Sequence, residues 1–485
     1  MKNTIFYKKW LRFIIGAFFI LMLLIFALQE YAVYKIDSII SEKLPAQIEL
    51  NYNSMALNLF VNTINIKDVK FKVLPDNKLG KEINIGASKI NIKGLDYWAL
   101  WKKECVIVRK ISVYNTDIEQ KDNATNLIDL AIKNAFFELK KFKTSADIAK
   151  QKIPFNYSNA SLNLDSLTYN LTDFEILTIK ALSYRNQNLK TGAISVKTKY
   201  DVSELSNKID KERDHVQLQI KNSIAKNLTL SVLNDSLKIE AEQFKFNQSN
   251  LKLYRDKTLP DDVHTKLLYS AMLRKLPIKL QIDTLLLNGQ NISYTEKVLN
   301  EIQPTPILFK RWSARIDNLS NINQEKTHVK CTALFIDDAP IELNFNFNTA
   351  NRNDSFEASI IIKNLKIKAI NPFLESNAQV RANGVFQELY LTVSGNYIKS
   401  SGDMKMKYED FQFQILDENR LGVKKLVTTI ANLFTNDGSK TDANGYRYGE
   451  INVERDKTKS FFNYLWLNTK DGLKNTVTGN GKKRK

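Results

Sequence analysis

Cys105, Cys331, the histidines His215, His264 and His328, and the carboxylate pairs Asp261-Asp262 and Asp337-Asp338 are the residues whose types could do redox, metal or acid–base chemistry. Their spacing supports none of these. Transition-metal sites take Cys and His at short, fixed intervals, and no such interval occurs. The histidines have no nucleophile–base–acid order around them, and neither an HExxH pair nor a glycine-rich phosphate loop is present. The Asp pairs sit in turn or helix-start contexts, where solvated carboxylates are ordinary. No catalytic residue, metal or cofactor is assigned, and the chain is not read as an enzyme. A site assembled from distant residues stays open. An oxidising compartment would permit a Cys105–Cys331 disulfide, and two separate buried thiols are the alternative.

The elements that would have to position any site are strands. Ile341, Leu343, Phe345 and Phe347 alternate with polar residues, as do Val216, Leu218 and Ile220, and Leu389, Leu391 and Val393. Alternation gives each strand one apolar and one polar face. A more particular spacing recurs, with apolar residues at i, i+2, i+5 and i+7. It appears as Ile64, Ile66, Val69, Phe71; as Ile90, Ile92, Leu95, Tyr97; as Leu162, Leu164, Leu167, Tyr169; and as Met406, Tyr408, Phe411, Phe413. The parity flips within each set. One extra residue forming a bulge or tight bend, such as Asp68 or Ser166, restores a common face. Such strands fit either a closed sandwich core or a long curved sheet with an incompletely covered face. Helical segments are expected at 126–142 (Ile128, Ile132, Ala135, Phe136, Leu139, Phe142), at 261–276 behind an Asp261 N-cap, at 421–434 and at 460–474.

Residues 13–28 read FIIGAFFILMLLIFAL, and Lys2, Lys8, Lys9 and Arg12 precede them with no acidic residue before Glu30. Leu11 to Leu28 approaches the roughly 20 apolar residues a bilayer-spanning helix needs. Trp10 at one end and Tyr31 and Tyr34 at the other suit the two interfaces, and the basic end belongs in the cytoplasm. A cleaved signal peptide is the competing reading, but ALQEYAVYK offers no clear small-x-small site. The net charge of +19, from 71 basic and 52 acidic residues, is spread along the chain except for Lys482 to Lys485. It reads as compositional drift or as contact with anionic lipid; nucleic acid conflicts with the expected compartment. Phe461, Phe462 and Trp466 stand on the last helix near that basic tail, as membrane-interface candidates. Hydrophobic content of 43% with only 16 Gly and 9 Pro describes a folded chain without flexible linkers.

The stretches NYNSMALNLFVNTINIKDVKFKV (51–73) and ASKINIKGLDYWALWKKECVIVRKISVYNTDIEQ (87–120) resemble the AsmA-like family of Gram-negative envelope proteins, relatives of TamB and YhdP. So do NPFLE (371–375), Gly384, SGNYIKSSGDMKMKYEDFQFQIL (394–416) and SFFNYLWLNTKDGLKNT (460–476), which are similar to members from Bacteroidota. The likeness covers both ends, 1–120 and 370–476.

What the resemblance implies is a mainly β protein: an N-terminal transmembrane helix, then a long, bent, antiparallel repeating β-groove with a few amphipathic helices. Its trough would carry phospholipids or other envelope lipids between membranes, with no cofactor. The groove candidates are Ile64, Ile66, Val69, Phe71, Ile90, Ile92, Leu162, Leu164, Leu167, Phe411 and Phe413. The expected organisation is a cytoplasmic stub and anchor (1–34), a family-like β module (35–120), a middle β region with helices near 126–142 and 261–276 (121–275), a C-terminal β region (276–455) and an amphipathic helix with a basic tail (456–485). The bulk would lie in the periplasm, anchored in the inner membrane by a single pass. Outer-membrane or periplasmic proteins are the other candidate partners. The alternative is a scaffold or regulator of outer-membrane assembly that carries no lipid.

Overall fold

The protein was analysed as a computed structural model that describes residues 47–74, 80–99, 105–122, 127–149, 155–233, 236–299, 303–416 and 441–479, with Thr125 and scattered positions between 22 and 34. It is mainly β, a large mixed sheet of 21 strands. Two compact units are distinguished: residues 1–170 with 178–186, and residues 171–177 with 187–485.

In the first unit, β1 (Ile48–Asn51) and β2 (Ser54–Asn58) pair in succession along β3 (Thr63–Val73). Then β4 (Lys81–Leu95), β5 (Val106–Asp122), β6 (Ile128–Thr144) and β7 (Asn159–Asn170) follow, each antiparallel to the one before. A single turn, α1 (Ala146–Ala149), follows β6, and most of β8 (Glu175–Arg185) completes the unit.

Residues with left-handed backbone interrupt these strands: Asp68 (φ 51°), Gly94 (φ 69°), Asn115 (φ 47°), Asn134 (φ 51°) and Lys141 (φ 51°). Each breaks the alternation by one residue, as a bulge does. Apolar residues at i, i+2, i+5 and i+7 then share a face when the interrupter stands at i+4. Asp68 fills that place in the Ile64–Phe71 set, Gly94 in the Ile90–Tyr97 set and Asp410 (φ 50°) in the Met406–Phe413 set. Asp, Asn and Gly are the residue types that tolerate this conformation best. Ser166 is not left-handed. On β6 beside it the left-handed residue is Asn134, whose side-chain amide donates to Asp165 Oδ2 at 2.8 Å.

The helix expected at 126–142 is the strand β6. Asn134 and Lys141 each shift its alternation by one, so its two-residue period imitates the three–four spacing of a helix. The helix expected from Asp261 begins at Tyr269 with Leu268 as N-cap, and Asp261 instead meets Lys459 Nζ at 2.6 Å. The segment 421–434 lies outside the described residues, as does nearly all of the 13–28 run, in which Met22 and Ala27 are helical. Among the described residues no helix is long and apolar enough to cross a membrane.

The second unit begins with β9 (Asn188–Thr191), β10 (Ile194–Thr198), α2 (Val202–Lys208), β11 (Asp214–Lys226), β12 (Thr229–Leu233) and β13 (Ser236–Asp256). β13 pairs parallel with β14 (Lys279–Lys297), which corrects the all-antiparallel expectation. The connection 257–278, carrying α3 (Tyr269–Arg274), is long enough for the crossover that a parallel pair requires. From β14 the strands are antiparallel in succession: β15 (Ile307–Ser320), β16 (Thr327–Phe335), β17 (Ala339–Phe347), β18 (Phe356–Lys366), β19 (Val380–Gly395), β20 (Lys399–Ile415) and β21 (Arg447–Glu454). A short helix, α4 (Asn371–Ala378), lies between β18 and β19.

The last helix, α5 (Phe461–Thr478), seals the end of this unit. Ser460 caps it by accepting from the Asn463 N–H, and the Arg447 guanidinium donates to the carbonyls of Thr476, Val477 and Gly479 at the other end. The helix approaches so closely that a Cβ on Gly449 would sit 2.4 Å from the Thr476 backbone nitrogen. A Cβ on Gly472 would meet side chains instead, Met404 Cε at 2.8 Å and Ile451 Cδ1 and Cγ1 at 3.1 Å.

Two stability series follow from this geometry. Gly449→Ala should lower unfolding free energy by about 1–3 kcal/mol, as overpacking against fixed backbone does. Gly472→Ala should cost less, since the Met404 and Ile451 side chains can shift where backbone cannot and helix propensity offsets part of the strain. Asp68→Gly should be tolerated, whereas Asp68→Val should cost about 1–2 kcal/mol through the left-handed backbone. Urea unfolding of each variant measures both series, and equal losses for Gly449→Ala and Gly472→Ala would contradict the helix placement.

Candidate functional site

Strand register in the first unit lines up apolar side chains in rows that cross the strands. One row runs Leu57, Ile64, Ile92, Ile111, Leu139, Ala160, and the next runs Met55, Ile66, Ile90, Val113, Phe137, Leu162. Directly paired residues point to the same side, so each row is a continuous apolar line. At about 4.8 Å per strand, six strands give a line of about 24 Å. Beyond the interrupters, the row Leu50, Phe71, Ile85, Ile118, Ile132, Leu167 continues on the same face.

Between these rows lies one of small residues: Val69, Ala87, Thr116 and Ala135, at 5%, 6%, 2% and 0% exposure. By register Leu164, at 4%, lies across from Ala135 and extends it. The rows on either side hold larger residues that are mostly half-buried, among them Ile66, Phe71, Ile90, Ile92, Leu162 and Leu167; Ile64 is buried. Of the helices in this unit whose two ends are described, α1 is the one, a single turn; helical positions also occur between 22 and 34 and at 97–99.

The opposite face is polar and cross-linked. Asn91 donates to Asn65 at 2.7 Å, Lys110 pairs with Glu138 at 2.5 Å, and Lys133 pairs with Glu119 at 2.8 Å. The Glu119 hydrogen bond raises the Lys133 ammonium pKa above its usual value. A hydrogen bond from Asn84, followed by Lys72, holds the Glu82 carboxyl below its usual range. One face therefore carries hydrogen bonds and ion pairs, with Asn91 and Ser112 buried within it, and the other apolar contact.

The second unit treats its apolar face differently. Leu389, Leu391, Val393, Met404, Met406 and Ile451 are at most 2% exposed, in a core shared with Phe461, Tyr464 and Leu465 of α5. Phe461 packs at 4.6 Å from Phe345 and 5.3 Å from Phe356, ring centre to ring centre. It is core, not a surface anchor, and this corrects its place among the interface candidates. Phe462 and Trp466 do face outward, 65% and 39% exposed, in line with exposed Lys470 and Lys474 on the same helix face. Phe411 and Phe413 are half-buried and pack against the sealed core, with Phe411 at 5.3 Å from Phe386. They belong to the core of the second unit and not to the rows of the first. Tyr31 and Tyr34 are exposed at helical positions, and Trp10 lies outside the described residues.

The structure thus brings together nine of the eleven groove candidates and adds Ile111, Val113 and Phe137, which were not singled out, and Leu139, which was read as part of a helix. For Phe137 the signal was present. Leu130, Ile132, Ala135 and Phe137 repeat the i, i+2, i+5, i+7 spacing with Asn134 at i+4. Cys105 and Cys331 are both free thiols, and burial pushes the Cys331 thiol up.

Side chains in the open rows should contribute less to stability than those under α5. Leu391→Ala should cost about 2–5 kcal/mol, the range for a filled core site, and Ile90→Ala about 1 kcal/mol in lipid-free protein. Denaturant titration of the two variants checks the contrast, and equal costs would mean that the first face is covered. No protein-family model and no curated protein matches this sequence.

Proposed function

We propose that the protein binds lipid acyl chains along the apolar face of its first unit, as an inner-membrane-anchored envelope protein in phospholipid transport or outer-membrane biogenesis. The observation that carries this reading is the set of apolar rows, continuous over six strands and left half-exposed. Exposed apolar area costs about 25 cal/mol per Å² in water, so a face of this extent calls for an occupant. The small side chains of Val69, Ala87, Thr116 and Ala135 make a deep floor between larger walls, a form suited to a narrow flexible chain. Binding of this kind uses no catalytic residue. The bulk of the chain would stand in the periplasm with the apolar run at 13–28 as its anchor, and the likeness to AsmA-like proteins points the same way.

A scaffold or regulator that carries no lipid is the second reading. The sealed core beneath α5 favours it for the second unit, where the apolar face is already filled by protein.

The two readings separate in one experiment. A photo-reactive phenylalanine analogue replaces Val113 in the open rows, or Lys110 on the polar face, in the full-length membrane-expressed protein. Irradiation followed by mass spectrometry should find phospholipid attached at position 113 and not at 110. Absence of lipid at both positions, with no lipid co-purifying, would leave the scaffold reading.

A further inference from the structure

Four large apolar side chains of the first unit point into solvent at one end of its strands. Phe60 is 67% exposed, Val61 60%, Tyr97 41% and Trp98 62%. Scattered exposed apolar residues are normal, but these four sit on two turns that are fastened together. Asn58 Oδ1 accepts from the N–H groups of Phe60 and Val61, at 3.1 and 3.2 Å, which shapes the β2–β3 turn. Asn62, left-handed at φ 47°, then reaches across to the turn after β4. Its side chain donates to the Leu95 carbonyl and accepts from the Leu95 N–H, both at 3.1 Å, while its own carbonyl accepts from the Gly94 N–H at 2.9 Å. Asp96 Oδ1 caps the second turn by accepting from the Ala99 N–H at 2.9 Å. Hydrogen bonds that could have closed an ordinary polar turn instead hold Phe, Val, Tyr and Trp outward.

The composition of this rim limits what it meets. Trp, Tyr and Phe beside exposed Lys93 and Arg109 is the combination found at the boundary between headgroups and acyl chains. Among the described residues of these two turns Asp96 is the one acidic residue, and its carboxylate is engaged with the backbone. The rim is also continuous with the open face, because Leu57 and Ile64 flank the Phe60 turn and Ile92 precedes Gly94 on the other. We infer that Phe60, Val61, Tyr97 and Trp98 form a bilayer-docking rim that seats the end of the apolar rows in the headgroup region of a phospholipid membrane. The inference deepens the lipid reading by naming where chains pass between bilayer and protein.

The test uses the full-length protein reconstituted into vesicles of phosphatidylethanolamine and phosphatidylglycerol, part of the lipid carrying brominated acyl chains. Val61→Cys or Thr125→Cys, in a Cys105→Ser/Cys331→Ser background, carries an environment-sensitive nitrobenzoxadiazole label. Thr125 lies in the turn after β5, at the opposite end of the strands. The brominated lipid should quench the label at position 61 about twofold more than at position 125, as expected for a side chain at the acyl boundary. A Phe60→Ser/Trp98→Ser double variant should lose that difference while still crosslinking lipid at position 113, which also verifies its fold. Equal quenching at 61 and 125 would overturn the rim. So would a blue-shifted but unquenched label at 61, since protein and not lipid would then cover it. Crosslinking at 113 without quenching at 61 removes only the rim, and quenching at 61 without lipid at 113 removes only the acyl-binding reading.

Discussion

A strand of 15 to 17 residues, the length of β4, β5 and β6, has to keep one face apolar along its whole length while its neighbours do the same. One interrupted residue reverses every side chain that follows it. An isolated interruption in β3 would therefore set Val69 against the polar side of β4. The structure avoids this by shifting neighbouring strands at the same row. Asp68 stands across from Ser88, and Ser88 across from left-handed Asn115. Pairs stay apolar on both sides, Ile66 with Ile90 before the row and Val69 with Ala87 after it. A left-handed non-glycine residue costs about 1–2 kcal/mol, so a row of them needs compensation. Local hydrogen bonds supply part of it: Asn134 N–H donates to Asp117 Oδ1 at 2.8 Å, and Ser88 Oγ to the Tyr114 carbonyl at 3.1 Å.

Both units use this device and reach different ends. In the second, Asp410 interrupts β20 as Asp68 interrupts β3, but the apolar face beyond it packs into a core roofed by α5. The helix also guards the strand it covers. Asp471 accepts from the Asn452 N–H at 2.9 Å and Asn475 donates to the Glu450 carbonyl at 2.7 Å, occupying backbone groups that a further strand would use. The first unit puts its hydrogen bonds into the polar face and the end turns. Its apolar face keeps side chains that are large, half-exposed and in register, an arrangement with no folding advantage over a covered one.

Much of this was legible in the residues because parity is a local property. The repeated spacing located the interruption at Asp68 and marked the sets that hold Gly94 and Asp410 without naming them, while Ser166 was named in place of Asn134 on the neighbouring strand; α5 announced itself through its aromatic start at Phe461, Phe462 and Trp466. β6 was misread because two interruptions seven residues apart, at Asn134 and Lys141, reproduce helical periodicity; periodicity alone cannot tell the two apart. Phe461 was assigned to a surface because spacing along one helix does not say which side meets the strands. The parallel β13–β14 pair depends on where the chain returns after residue 256, a non-local choice with no marker in either strand.

The open rows contain almost no polar chemistry. Among the four rows named, Thr116 is the one polar side chain, and its hydroxyl is buried without a hydrogen-bond partner. A face so lined cannot read a headgroup, an acid or a sugar, because recognition of those needs placed donors and acceptors. It can discriminate only by width, length and flexibility. Under the acyl-chain reading, the headgroup would have to remain outside the rows, in water or at the rim, where Lys93 and Arg109 are exposed. Movement along the rows would then meet no step at which one strand binds much more tightly than the next, since Ile, Val, Phe and Leu present nearly the same surface. A nearly level path of this kind favours passage over storage, and any direction must come from what supplies or removes lipid at its ends.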